Sequence, residues 1–247
     1  MPFMAALGLK KIGVCTLKKI GLVGGLGWVS TLEYYKLINI FTNQKLGAHN
    51  SAHILIESLD EGLFLDNQNK DPSGKMCEKM IVDAVGVLVA GGAEVVALCA
   101  NGLHRFMPSI KAKYNVEFVD IRDATAKSIQ KMGLNCVGLI GVQKTMETDF
   151  YRETLQDHGI ESVVPELTSR EYIHQKIISE LVLNEFTVDT KHGFLSVIED
   201  LIDKDVQGVI LGCTEIPLLL SASEHKGFPL FSTTEIHCRE IVERTLN

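Results

Sequence analysis

The chain has 247 residues, 46% of them hydrophobic and 22% charged, a balance that excludes a disordered, collagenous or disulfide-stapled protein. The length accommodates two domains of roughly 110 residues each, and no apolar run approaches the roughly 20 residues of a membrane-spanning helix. With 24 Lys+Arg against 31 Asp+Glu, a net charge of −7 and no basic block, the charge argues against nucleic acid as the main partner and leaves a small molecule open.

Residues 1–17 read as an extension ahead of the first domain, because their apolar start is short and the lysines follow it, unlike a secretory leader. From there, strand-like runs alternate with helix-like stretches: Ile20–Val23, His53–Ile56, Val95–Leu98, Val116–Val119, Val137–Ile140, Ser162–Val164 and Gly208–Leu211. The segments between most of them are long enough for crossover helices, so the fold class expected is α/β with parallel sheets. After the first strand, Gly24–Gly27 forms a glycine turn, and Tyr34, Leu37, Ile38 and Phe41 make a helical stripe. Ser30 and Glu33 fit a capping box, with Ser30 and Thr31 read as caps. Backbone N–H groups in such a turn suit a carboxylate or phosphate, and a tight turn without a ligand is the plainer alternative. The glycines are not GxGxxG, which disfavours a dinucleotide.

The chain also repeats itself. Ile20-Gly-Leu-Val-Gly resembles Val137-Gly-Leu-Ile-Gly 117 residues later, and Val96-Ala-Leu-Cys-Ala-Asn resembles Val209-Ile-Leu-Gly-Cys-Thr 113 residues later. Two strand ends recurring in the same order predict two pseudo-symmetric, doubly wound parallel-sheet domains. Parallel strands present their carboxyl ends to a common crevice, so the loops after these four strands are expected to line one cleft between the domains. The expected boundaries are 18–113 with 230–247 for the first domain and 114–229 for the second. The apolar stripe Ile241, Val242 and Leu246 should return to the first.

Six cysteines (15, 77, 99, 136, 213 and 238) form no CxxC pair and no zinc spacing with histidine. They are read as reduced thiols of a cytoplasmic protein, with no metal site. Cys77 and Cys238 sit at helical spacing from apolar neighbours and read as buried small hydrophobes. Cys213 differs, because it leaves a strand and enters Thr214-Glu215 ahead of a helix. A helix N-terminus favours thiolate, whereas a neighbouring carboxylate raises the thiol pKa and could serve as its base. Cys213 is therefore a candidate nucleophile or proton-transfer base.

Five motifs in order, Gly24-Gly-Leu-Gly-Trp-Val-Ser-Thr with Tyr34-Tyr35, Ala100-Asn-Gly-Leu-His104, Thr145-Met-Glu-Thr-Asp-Phe-Tyr, Gly212-Cys-Thr-Glu215 and Ser232-Thr-Thr-Glu-Ile-His237, span the chain from Lys18 onward. Together they resemble the aspartate/glutamate racemase family, particularly its bacterial broad-specificity members. The resemblance implies a cofactor-independent isomerase that removes the α-proton on one face of an amino acid and returns one on the other, in a cytoplasmic homodimer with no membrane or nucleic-acid partner. It implies catalytic roles for Cys213, Glu215 and His104, and substrate contacts from Gly25, Leu26, Asn101, Gly102, Thr145, Thr214 and His237.

The departures are specific. The position of the first catalytic cysteine holds Ala100, which has no proton to give. Cys99 is one place early, and alternation along a strand turns it away from the cleft. Gly102 stands where Thr is usual, Tyr172 stands near where a substrate-binding Lys is common, and no Arg occurs in 56–62 to clamp a carboxylate. Alternatives therefore stay open: a single-cysteine decarboxylase or isomerase of the same superfamily, or a silent small-molecule-binding protein.

Overall fold

The computed structural model describes residues 17–220 and 227–246. The expected extension, apart from residue 17, and Cys15 lie outside the described residues.

Two four-stranded, all-parallel sheets are built in the same order. The first contains β1 (Ile20–Gly24), β2 (Ile54–Ser58), β3 (Val95–Leu98) and β4 (Glu117–Phe118), arranged β2-β1-β3-β4. The second contains β5 (Cys136–Ile140), β6 (Glu161–Val163), β7 (Val209–Leu211) and β8 (Leu230–Ser232), arranged β6-β5-β7-β8. All seven expected strands form, and β8 is the one the sequence did not announce. Register confirms the repeat, since Gly21 lies opposite Val96 and Gly138 opposite Val209. Both glycines do the same job. A β-carbon on Gly21 would stand 2.8 Å from Ala93 and 3.1 Å from Leu88, and one on Gly138 would stand 2.9 Å from Leu201. Their bareness lets α3 (Lys75–Ala90) and α9 (Val188–Ile202) close onto the first strand of each sheet.

Alternation along the strands sorts side chains into two cores per domain. On one face of the first sheet, Val96 and Leu98 pack with Cys77, Ile81 and Leu88 of α3. On the other, Val95, Ala97 and Cys99 pack with Tyr34 and Ile38 of α1 (Trp28–Leu46) and with Cys238, Ile241 and Val242 of α11 (Thr233–Thr245). Burial of each such Ile or Val side chain contributes roughly 1.5–3 kcal/mol relative to exposure. The second sheet repeats the plan: Val209 and Leu211 face α9, while Ile210 faces α5 (Ile121–Lys131) and α7 (Asp149–Asp157).

The helices that follow the two end strands are exchanged. α5 leaves β4 of the first sheet and packs its Ala126 and Ile129 into the second domain. α11 leaves β8 of the second sheet and packs into the first, as the C-terminal stripe led us to expect. The expected boundaries need correction by a few residues. A break at 113/114 cuts β4 from the sheet to which it is hydrogen-bonded, and a break at 229/230 assigns β8 to the wrong sheet. The crossings fall just after each end strand, at Asp120 and Ser232, and both residues cap the helix that follows: Asp120 accepts from Arg122 N–H and Ser232 from Glu235 N–H.

Candidate active site

The loops after β3 and β7 start from equivalent places. Leu98 continues into Cys99-Ala100 and a 3₁₀ turn over Asn101–Phe106, and Leu211 continues into Gly212-Cys213-Thr214-Glu215 and the short helix α10 (Ile216–Leu219). Side-chain parity carries through both loops. Ala100 packs on the core of Val96 and Leu98, and Cys213 on that of Val209 and Leu211. Cys99 belongs to the opposite face, among Tyr34, Ile38 and Cys238, where burial pushes its thiol far up. Cys99 therefore cannot reach the face that Ala100 occupies.

Cys213 is buried, and its Sγ–H donates to Glu215 Oε2 at 2.9 Å. Burial, then the Glu215 charge and this hydrogen bond, raise the thiol well above its ordinary value, outweighing the N–H groups of Thr214 and Glu215. The expectation of a helix-stabilised thiolate is therefore corrected: α10 has only four residues, and the resting species is a thiol poised on a carboxylate. Glu215 is held from both sides. Its Oε2 also accepts from Thr214 Oγ1 at 3.0 Å, and its Oε1 accepts from Ser30 Oγ at 2.5 Å. Ser30 Oγ and Thr214 Oγ1 also lie in hydrogen-bond contact, so with one proton each the two hydroxyls make two of these three bonds at a time.

This overturns the capping-box reading. α1 begins at Trp28 behind Gly27, so Ser30 lies inside its first turn and Glu33 pairs with exposed Lys36 instead. Thr31 reaches back and accepts from Gly25 N–H at 2.8 Å. That donor is thus occupied within the turn, contrary to the expectation that Gly25 faces a substrate. Gly25 is needed for shape: its φ is +88°, and a β-carbon there would fall 2.0 Å from Leu59 O. Leu26 is buried in the core beside Val23 and Phe64.

Asn101 is buried and bridges the domains, its Nδ2 donating to Thr233 Oγ1 at 3.1 Å while Thr233 donates to Leu211 O at 2.8 Å. Its Oδ1 has no partner. Thr145, on α6 (Gln143–Glu147), rests its methyl against the backbone of Gly141 and Gly212, and its Oγ1 also lacks a partner. Buried polar atoms are normally satisfied; these two belong to residues that touch the Leu211–Gly212 end of the Cys213 loop, directly or through Thr233, and Tyr151 OH and Arg170 Nε elsewhere are likewise without a partner. Gly102 O accepts from Arg105 Nη1 at 2.9 Å.

The histidines are spoken for. His104 Nδ1 lies 3.1 Å from Ala100 O, which can only accept, and its Nε2 accepts from Ile121 N–H at 3.2 Å. His237 donates through Nε2 to Val119 O at 2.9 Å and accepts from Tyr34 OH at 2.7 Å. These partners fix one neutral tautomer each, and burial lowers both, with His237 down to about 3. His104, expected in a catalytic role, and His237, expected as a substrate contact, thus have their ring nitrogens committed to partners within the protein. No ring nitrogen is free, and Glu215 bonds neither. His104 anchors the Ala100 carbonyl. Tyr172 packs its ring on Phe194 and Gly193 between α8 (Leu167–Ser179) and α9, so it replaces no clamp.

Three features escaped the sequence reading. Glu61, first residue of α2 (Glu61–Lys70), approaches Glu215 near Gly27, and burial followed by the Glu215 charge raises its carboxyl above the usual range. Thr233 and Thr234 of α11 tie down Leu211 O and Thr214 O. Arg105 and Lys144, from the facing 3₁₀ turn and α6, are both partly desolvated and lack a carboxylate partner among the described residues. Among the described residues no group of three or more His, Cys, Asp or Glu could hold a metal ion, and no helix is long and apolar enough to cross a membrane.

Residues 23–241 match the family model described as Asp/Glu/Hydantoin racemase. The structure is similar to that of a Yersinia pestis protein, with a TM-score of 0.86 and 35% identity over 94% of this chain and 100% of that one. It is also similar to an aspartate racemase homologue from Pyrococcus horikoshii OT3, with a TM-score of 0.82 and 32% identity over the same shares. A glutamate racemase from Hydrogenobaculum sp. is 22% identical over 64% of this chain and 61% of its own length. With the repeated parallel sheets and the strand-end loops described above, these matches settle the assignment: the chain belongs to the Asp/Glu/hydantoin racemase family.

Proposed function

We propose that this protein is a cofactor-independent amino-acid isomerase whose proton-transfer group is Cys213, acting on a small acidic amino acid. The observation that carries the reading is the buried Cys213–Glu215 hydrogen bond, which gives the thiol a base within the same loop. Glu215 Oε2 takes the thiol proton. The sulfur then takes the α-hydrogen as a proton, and the C–H electron pair moves into the substrate carboxylate as an enolate. Asn101, with an unpartnered Oδ1, flanks the loop and can accept from the ligand's ammonium, while the uncommitted Thr145 hydroxyl can donate to the charge that develops on the carboxylate. Return of the proton from Cys213 restores the same enantiomer. Inversion needs a proton from the other face, where the Ala100 methyl leaves room for a water. That water donates its proton to carbon, Cys213 keeps the proton it took as its thiol, and the resulting hydroxide is neutralised by the proton that Glu215 releases through solvent, which restores the resting pair.

Arg105 and Lys144 support an acidic side chain, because two partly desolvated cations without a carboxylate partner suit a second carboxylate. The unequal furnishing of the two strand ends favours a second reading, a one-cysteine reaction such as decarboxylation with protonation on one face. Silent binding remains the reading from outside enzymology. Five unpaired cysteines among the described residues support a cytoplasmic protein. Trp28, Leu32 and Tyr35, each at least half exposed along one side of α1, support a homodimer, which light scattering after gel filtration would test.

Incubation with each enantiomer of Asp and Glu in D₂O separates the readings. Loss of the α-proton signal is the result expected. Carbon dioxide release without racemisation would establish the one-cysteine reading, and thermal stabilisation without exchange would establish binding alone.

A further inference from the structure

We infer that Glu61 is a positioning residue that drives the negative charge of the Cys213–Glu215 pair onto sulfur, an inference that rests on the reading of Cys213 as the proton-transfer group. Oε2 of Glu61 lies 3.3 Å, and Oε1 of Glu215 3.8 Å, from the point where a β-carbon on Gly27 would sit. Oε1 is the Glu215 oxygen that accepts from Ser30, whereas Oε2 accepts from Cys213. Glu61 and Glu215 Oε1 thus flank the same point at Gly27, where any side chain would meet both carboxylates, while sulfur is hydrogen-bonded at the other Glu215 oxygen.

The other groups around the pair do not compete. From α1 come the Ser30 hydroxyl and the buried phenol of Tyr34, which burial and neighbouring charges including Glu215 hold protonated and which donates to His237, and from the β7 loop the Thr214 hydroxyl. Asp60, next to Glu61, is occupied as the cap of α2 through Leu63 N–H at 2.9 Å. Neither Glu61 nor Glu215 makes an ion pair among the described residues. Transfer of the thiol proton to Oε2 leaves the total charge of the pair unchanged but moves it from Glu215 to sulfur, away from Glu61. An ionised Glu61 therefore favours the transfer, and a neutral side chain there does not. Partial burial of Glu61 strengthens the effect relative to open water.

The test is the alkylation rate of Cys213 by iodoacetamide between pH 5 and 9 in the full chain, read on the Cys213 peptide by mass spectrometry, with partly exposed Cys136 as internal reference. Glu61→Gln should slow Cys213 about tenfold relative to Cys136 near neutral pH and remove the rise that accompanies ionisation of Glu61, while Glu61→Asp keeps that rise. A Glu61→Gln profile that superimposes on the parent overturns the inference. So does equal slowing by Gln and Asp, which marks a structural role. Cys213→Ala assayed for α-proton exchange separates this from the reading beneath it. If that variant still exchanges, the proton-transfer role fails, and with it the catalytic meaning of Glu61. If it is silent while Glu61→Gln alkylates normally, only the role of Glu61 falls.

Discussion

At the end of β3 the chain reads Cys99-Ala100-Asn101, and at the end of β7 it reads Gly212-Cys213-Thr214. The strands before them share register, face and neighbours, so the two loops are one construction made twice. The first ends in a methyl group above a carbonyl pinned by His104. The second ends in a thiol donating to a carboxylate that Ser30 also holds from the first domain. Architecture is therefore retained on both sides of the cleft while the buried thiol–carboxylate pair stands on one. Packing sees Ala100 and Cys213 alike as small apolar residues, so under the proposed function the fold keeps two positions for proton transfer with one of them filled.

The largest effect expected comes from emptying the furnished side. Cys213→Ala should lower α-proton exchange on the substrate by about 10²–10⁴-fold, with little change in thermal stability since Ala fits the same core. Exchange that persists by NMR in D₂O would break the comparison, because the thiol would then be a core residue like Cys99. Next comes furnishing the empty side. Ala100→Cys should raise racemisation on the order of 10²-fold by replacing water with a positioned acid, while ligand affinity stays nearly constant. Chiral chromatography alongside a binding isotherm checks both parts, and a variant that gains nothing on Asp or Glu would direct attention to one-face chemistry.

Much of this asymmetry was legible in the sequence, for a physical reason. The apolar period of strands is local, so Ile20–Val23, Val95–Leu98, Val137–Ile140 and Gly208–Leu211 announce themselves, and parity along them correctly turned Cys99 away. The misses are long-range. β8 is three residues long and exists through its pairing with β7, so nothing in Leu230-Phe231-Ser232 alone declares it. Ser30 satisfies a capping pattern, yet its partners Thr214 and Glu215 lie more than 180 positions further on. His104 and His237 stood in the motifs as though for chemistry, and only the structure reveals that backbone carbonyls, an N–H and Tyr34 occupy every ring nitrogen. Glu61 and the Arg105–Lys144 pair lie in no shared motif, and proximity in the fold alone gives them meaning.

A smaller effect tests whether the cleft recognises charge as well as shape. Arg105 follows the unfurnished strand end and Lys144 precedes Thr145 beside the furnished one, so each half contributes one cation. Removal of a partly desolvated charge–charge contact costs on the order of 1–3 kcal/mol. Arg105→Ala and Lys144→Ala should each raise KM for an acidic substrate about tenfold with kcat little altered. An equal rise for a neutral amino acid would show that the two cations support the loops and not the ligand.

The smallest effect concerns folding, and it also belongs to one half. Tyr34 of α1 donates to His237 of α11, with the His104 ring 5.5 Å from that of His237. In the second half Tyr151 holds the equivalent buried place on α7, against α5, and no histidine meets its hydroxyl, since His158 at the end of α7 bonds Gln130 and Asp123 of α5 instead. Both rings are held neutral, so their folded-state affinity for protons lies below that of an unfolded histidine near 6.5. Below about pH 6.5 the unfolded chain takes up protons that the folded chain refuses, and for His237 this continues to about pH 3. Stability is therefore full above pH 6.5 and declines as pH falls, by about 1.4 kcal/mol per unit for such a group. Asp120, held low by Arg122 and the neighbouring His104 against its burial, keeps its contribution throughout the upper part of this range and loses it only once pH drops below the unfolded carboxylate value near 3.9. The interval from pH 6.5 to 4.5 consequently lies above that loss, and because the raised Glu61 carboxyl acts there with the opposite sign, substitution of His237 and not the slope alone assigns the effect to the histidines. Thermal midpoints should fall there by about 3 °C per pH unit from His237, with His104 adding in the same direction, and His237→Gln should lower the midpoint at pH 7 while flattening the slope. A slope that the substitution leaves unchanged would place the acid sensitivity outside the Tyr34–His237–His104 cluster and remove this difference between the halves.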